Sequence, residues 1–176
     1  MVKIRFYDSC KDSVLKLHYE LDSGLIVMGD IYHEVKDSIL VKKPGLYTLI
    51  LSFPRGNFKG KFGNGHYQAV YYYVINIDGV KNYTDTIELP RVTFCSTGAL
   101  HDSYYKSYNC DELSNGHVLD YYKNGTKRSE GDYINGWPVR VIKYYDKTGK
   151  LIAKEKYDKY KLKRFILYTK EKYVNL

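Results

Sequence analysis

The sequence predicts a mainly β protein, on three observations. Short apolar runs recur along the chain, turn signals separate them, and helical periodicity is hard to find. Tyrosine occurs 21 times against a single tryptophan. A flat apolar ring with a polar tip suits a pleated surface, where the body packs and the hydroxyl stays wet.

The elements follow in order. Strands are expected at Lys3–Tyr7, Val14–Glu20, Leu25–Tyr32, Leu46–Phe53, Gln68–Asn76 and Arg91–Cys95. Further strands are expected at Val118–Tyr122, Lys127–Tyr133, Val139–Tyr145, Leu151–Tyr157 and Lys161–Tyr168. Turns are expected at Ser23-Gly24, Pro44-Gly45, Asn64-Gly65, Asp78-Gly79, Asn115-Gly116, Asn124-Gly125, Asn135-Gly136 and Thr148-Gly149. Asn-Gly favours tight hairpins because both residues tolerate positive φ, so the Asn-Gly pairs argue for a meander of antiparallel hairpins. Lys154–Arg164 also admits an amphipathic helix, with Tyr157, Tyr160 and Lys161 near helical spacing. The strand reading is preferred there.

An internal repeat supports stacked hairpins. Tyr121-Tyr122 recurs as Tyr144-Tyr145 at an offset of 23, whereas Gly125 and Gly149, like Tyr133 and Tyr157, are 24 apart. Asn-Gly followed by a ring and then paired tyrosines occurs as Asn64-Gly65-His66 before Tyr71-Tyr72 and as Asn115-Gly116-His117 before Tyr121-Tyr122. It occurs again as Asn135-Gly136-Trp137 before Tyr144-Tyr145. A single hairpin cannot bury its aromatic face alone, so neighbours must stack to close a core.

The stretch Asn115–Tyr157, with its paired tyrosines, Asn-Gly, Tyr-x-Asn-Gly and Gly-x-Leu, resembles the MORN repeat, in the divergent variety of bacterial antitoxin-like and large-virus proteins. Where the family usually places a glycine after the second Asn-Gly, this chain has Pro138 and Val139. The resemblance implies an elongated, twisted antiparallel sheet serving as scaffold or binding surface, with no catalytic residues to carry over. The expected organisation is a β-rich, β-sandwich-like module over residues 1–110 and MORN-like hairpins with a basic segment over 111–176. The polar stretch Asn109–Ser114 is the boundary; one continuous β domain over 1–176 is the alternative.

Charge is segregated. The chain carries a formal +8, and from Lys150 onward nine cations meet Glu155, Asp158 and Glu171, a net +6. The longest apolar stretch, Leu46–Phe53, is far short of the roughly 20 residues a membrane-spanning helix needs. Met1–Cys10 carries no signal-peptide apolar core. Three cysteines, an odd count, point to a reducing, cytoplasmic compartment.

The candidate chemistry is sparse. Cys95, His101, Asp102 and Cys110 are the parts of a thiol–imidazole–carboxylate triad, or three of four zinc ligands without the close C-x2-4-C pair. The plainer reading is Cys95 at a strand end beside a polar loop. His66 and His117 occupy equivalent repeat positions but share them with Trp137, and His18 and His33 have no partners at metal spacing. Ser52–Lys61 is glycine-rich and basic but lacks the ordered phosphate-loop motif, so a glycine-rich hairpin loop is expected. No cofactor and no metal are expected.

Three functions remain. The leading one is a non-enzymatic interaction or assembly scaffold, of the kind a viral or phage structural or accessory protein provides. It would present Tyr121, Tyr122, Tyr133, Trp137, Tyr144, Tyr145 and Tyr157 to a protein partner. The second is binding of nucleic acid or anionic lipid through Lys154, Lys156, Lys159, Lys161, Lys163, Arg164, Lys170 and Lys172, whose cations alternate with rings. The third is a cysteine enzyme using Cys95 and His101.

Overall fold

The computed structural model describes residues 2–15, 20–22, 25–28, 44–60, 63–78, 83–96 and 106–168. His18, His33, His101, Asp102, Lys170 and Lys172 lie outside the described residues, as do the expected turn at Ser23-Gly24 and Gly79 of Asp78-Gly79. The described chain is all β. Its strands are β1 (Val2–Asp8), β2 (Ser13–Leu15), β3 (Glu20–Asp22), β4 (Leu25–Met28), β5 (Gly45–Gly60), β6 (Gly63–Ile77), β7 (Tyr83–Leu89) and β8 (Val92–Ser96). There follow β9 (Lys106–Asn109), β10 (Glu112–Leu113), β11 (Gly116–Tyr121), β12 (Lys127–Ile134), β13 (Trp137–Tyr145), β14 (Leu151–Asp158) and β15 (Lys161–Leu167).

Two compact units interleave along the chain. One draws on Met1–Phe53 and Val70–Leu89, the other on Pro54–Ala69 and Pro90–Lys172. In the first unit β1 lies between β2, antiparallel, and β7, parallel. The β1–β7 register sets Phe6 opposite Ile87 and Asp8 opposite Leu89. Alternation therefore turns Ile4, Phe6, Ile87 and Leu89 inward, and all four are buried. In the same unit β3 pairs antiparallel with β4, and β4 parallel with β5.

Two sequence expectations change here. Ser52–Gly60 is not a glycine-rich loop but the far half of the 16-residue strand β5. Proline's fixed φ is compatible with extended backbone, so Pro54 does not end it. Asn64-Gly65 is likewise not a turn but part of β6.

The second unit contains β8–β9–β10, which pair antiparallel in that order, β8 also meeting β6 at Gln68 and Ala69. It also contains the five-stranded antiparallel meander β11–β12–β13–β14–β15. Lys154–Arg164 is strand, turn and strand rather than helix.

The meander is built on a period of 24. Asp120 faces Ser129 and Tyr121 faces Lys127; 24 residues on, Tyr144 faces Ala153 and Tyr145 faces Leu151, with a β-bulge at the same place. The connections match too. Gly125 N–H donates to Tyr122 O and Gly149 N–H to Asp146 O, both 2.9 Å, with both glycines at positive φ. Each is a three-residue hairpin loop whose last residue must be left-handed, the place glycine fills without strain. Tyr121-Tyr122 and Tyr144-Tyr145, at an offset of 23, are therefore not equivalent. The one-residue slip moves each ring to the other face of its strand. Tyr145 corresponds to Tyr121, and Tyr144 corresponds to the buried Asp120.

The two-residue turns obey the same period. Ile134 faces Trp137 across Asn135-Gly136, and Asp158 faces Lys161 across Lys159-Tyr160. All four turn residues have positive φ: 50° and 78°, then 46° and 66°. The second turn copies the geometry of the first without its sequence. Val118, Tyr133 and Ile142 form the buried core of this sheet, with Val92, Phe94, Tyr144 and Tyr157 packed against it. Gly131 must lack a side chain, because a Cβ there would lie 2.9 Å from Ile142 Cγ1.

Candidate interaction surface

Cross-strand partners share a face, so the register sorts the meander into two surfaces. One carries Val118, Asp120, Gly131, Tyr133, Ile142, Tyr144, Ala153, Glu155 and Tyr157, continuing onto β15 through Leu162, Phe165 and Leu167. The other carries Glu130, Lys143, Lys154, Lys156 and Arg164.

On the first surface the expected binding tyrosines turn inward. Tyr133 is buried. Tyr144 and Tyr157 donate their hydroxyls to the same oxygen of Glu155, Oε2, at 2.8 and 2.9 Å. Burial, and next the Glu155 charge, push Tyr144 and Tyr157 well above the usual phenol range. Burial also raises Tyr133, against a hydrogen bond with Ser107. These three phenols stay protonated at neutral pH, and Tyr144 and Tyr157 act as fixed donors to Glu155. Asp120, also on this surface, is fully buried. Its carboxylate accepts from the backbone N–H of Arg91 at 3.1 Å and of Tyr121 at 2.8 Å, and lies 3.6 Å from Arg128 Nη1. Burial raises its pKa, and Arg128 and the backbone donors pull the other way.

On the second surface Glu130 gathers three donors: Lys127 Nζ at 2.7 Å, Lys143 Nζ at 2.8 Å and the Tyr145 hydroxyl at 2.6 Å. The bonds from Lys127, Lys143 and Tyr145 hold its carboxyl down at about 2. Burial, then the bond to Glu130, pushes Tyr145 up to about 12. Tyr122 donates to Tyr145 O at 2.9 Å, and the Arg128 guanidinium lies 4.4 Å above its ring. Trp137 is half-buried against Tyr160, ring centres 6.0 Å apart. Of the seven expected partner-binding aromatics, only Tyr121 is exposed, at 43%.

The basic residues are placed differently. Lys156, Lys159, Lys161, Lys163 and Arg164 are exposed, and Lys154 is half-buried with Nζ 5.4 Å above the Tyr168 ring. Among the described residues, none of the five exposed cations has an acidic partner. Two like-charged pairs sit directly opposite each other, Lys143 with Lys154 and Lys156 with Arg164. Interleaved with them are exposed apolar residues at Tyr160, Leu162, Phe165, Leu167 and Tyr168. Reading that stretch for cations and rings alone misses Leu162 and Leu167, which the β14–β15 register, with its shift at Lys156/Tyr157, places on the same face as Phe165.

Of the other candidates, Cys95 lies in β8, where its backbone pairs with Ala69 and Lys106, and His66 lies in β6. His117 is exposed, its Nδ1 2.8 Å from Asp132 Oδ1. Among the described residues no group of three or more His, Cys, Asp or Glu is placed to hold a metal ion. Cys10 and Cys110 are disulfide-bonded, so the cysteine count lends no support to a reducing compartment. Among the described residues no helix is long and apolar enough to cross a membrane. No family model, curated protein or solved structure matches the chain.

Proposed function

We propose that this chain is a non-enzymatic protein-interaction scaffold of MORN-like stacked hairpins. Its contact surface is the β14–β15 end of the five-stranded sheet rather than the tyrosines inside it. The observation that carries this reading is the contrast between those two groups. Tyr133, Tyr144, Tyr145 and Tyr157 are engaged within the sheet, whereas Leu162, Phe165 and Leu167 are 52%, 46% and 42% exposed on one strand. An exposed apolar row rimmed by charge is the usual mark of an interaction site.

The unpartnered cations favour a second reading, an anion-binding edge for nucleic acid. It predicts affinity that falls steeply with salt. Deleting the C-terminal segment from residue 154 is a poor test, because it removes Glu155 and Tyr157, which β14 supplies to the interior face. The better test is a pull-down from the native source with the intact chain and with Phe165→Ser, at low and high salt. A protein that crosslinks to β14 or β15, persists at high salt and is lost with Phe165→Ser is the expected result. Capture of nucleic acid alone, lost at high salt and indifferent to Phe165, would replace the scaffold reading.

A further inference from the structure

Resting on that scaffold reading, we infer that β15 accepts an extended, acidic, alternately apolar peptide strand from a protein partner, extending the five-stranded sheet by one strand. Three features of the same edge carry this. First, β15 ends the sheet order, and among the described residues no strand pairs on its outer side. Its outward backbone groups are a template for a further ladder. Second, the buried face of the meander runs on to β15 without being covered. Leu162 faces Tyr157, Phe165 faces Glu155 and Leu167 faces Ala153, so three apolar residues continue the interior row and stand exposed at its end.

Third, the opposite face at this edge carries Lys156, Lys161 and Arg164, exposed and without an ion pair among the described residues. Arg164 faces Lys156 across the β14–β15 ladder. Like charges directly opposite weaken a sheet, and acidic side chains on an added strand would relieve them.

These features select one kind of occupant. The apolar row and the cations project from opposite faces of one strand. A membrane surface or a nucleic-acid backbone approaches from one side and meets only one of them. An added strand meets both at once, because its own side chains alternate: apolar ones beside Leu162, Phe165 and Leu167, and Asp or Glu beside Lys161 and Arg164. A second copy of β15 would set cations against cations, so the charge that admits an acidic strand rejects self-pairing.

The test uses the full chain and a capped seven-residue peptide alternating valine and glutamate, matched to the seven residues of β15. A lysine-for-glutamate peptide, a single-stranded oligonucleotide and phosphatidylserine-containing vesicles are the comparison arms. Binding is read by fluorescence anisotropy and by hydrogen exchange. The expected result is at least tenfold tighter binding of the acidic peptide than of the basic one, with slowed exchange over Lys161–Leu167. Arg164→Glu and, separately, Phe165→Ser should each weaken it about tenfold; both side chains are exposed, so both variants should fold. Equal binding of the two peptides, unchanged exchange in β15, or preference for the oligonucleotide or vesicles would overturn the inference. A crosslinked protein partner that leaves β15 exchange unchanged would overturn the inference alone and leave the scaffold reading standing.

Discussion

The two 24-residue hairpin repeats of the C-terminal sheet share a backbone and differ in what their equivalent positions hold. Asp120 of the first, buried beside Arg128, becomes Tyr144 of the second, whose hydroxyl meets Glu155. Gly131, closed against Ile142, becomes Glu155 itself. Pro138, buried opposite Tyr133, becomes Leu162, exposed opposite Tyr157. The first repeat has neighbours on its turn: Gly136 N–H donates to Ser114 O, and Gly136 O accepts from Ser107 N–H, both at 2.8 Å. The second repeat ends at β15, beyond which no described strand pairs. A repeat array that stops must either cap its last face or leave it for a partner. Here the inner repeat reads as packing and the outer one as surface.

The largest expected effect breaks the inner repeat at its buried charge. Asp120→Ala removes the carboxylate that Arg128 faces and three backbone N–H groups use, and should cost about 3 kcal/mol. Tyr144→Phe, at the equivalent place, removes one hydroxyl and should cost about 1–2 kcal/mol. Urea melts of the two variants check the ranking; equal losses would show that the repeats are energetically alike. The turn glycines give the next contrast. A Cβ on Gly136 would lie 2.7 Å from Leu113 Cδ2 and 3.0 Å from Lys106 Cβ, whereas on Gly149 its nearest neighbour is Thr126 Cγ2 at 3.5 Å. Both have positive φ, so Gly149→Ala should cost about 1 kcal/mol from backbone strain. Gly136→Ala adds a clash and should cost about 2–3 kcal/mol.

The Glu130 cluster ties β12 to β13 and should show in the pH dependence. Its folded pKa of about 2 lies below the ordinary glutamate value of 4.5, so its contribution is complete above about pH 4.5 and is lost as pH falls through 2. Lys127 and Lys143 are each about two-fifths exposed, 38% and 41%, and solvent screening reduces the contribution to about 1–2 kcal/mol. Glu130→Gln should therefore be less stable than wild type at pH 7 and nearly equal to it at pH 2, by urea melts at matched ionic strength. A gap that persists at pH 2 would mean that shape, not charge, is what Glu130 supplies.

Much of this was legible in the residues. Alternation gave β1, β12, β13 and β14 to within two residues, because one face of each is buried and a slip would expose it. The repeat was visible in Gly125 and Gly149, whose left-handed positions demand glycine. What misled was chemical likeness without geometry. The paired tyrosines at an offset of 23 look equivalent but straddle the register, and Asn64-Gly65 carries a turn signal inside a strand that pairing holds extended. β7 and β9 were missed because Tyr83–Leu89 and Lys106–Asn109 are too polar to show an apolar run. Burial of the tyrosines depends on Glu155 being within reach of two hydroxyls at once, a long-range fact with no local signature.

The smallest expected effect concerns the second two-residue turn. Lys159-Tyr160 occupies the positive-φ geometry that Asn135-Gly136 occupies without strain. Left-handed backbone costs an ordinary residue roughly 1–2 kcal/mol, so Lys159→Asn with Tyr160→Gly should recover part of two such penalties. Against this, Tyr160 loses its ring contact with Trp137 at 6.0 Å, about 0.5–1.5 kcal/mol. The backbone gain is the larger, and the double variant should be about 0.5–1 kcal/mol more stable than wild type by thermal and urea melts. Lys159→Asn alone keeps the Tyr160 ring and should stabilise by about 0.5 kcal/mol. A double variant less stable than the single one would place the ring contact above the turn strain. Trp137 and Tyr160 would then be the clasp that holds the outer repeat to the inner one.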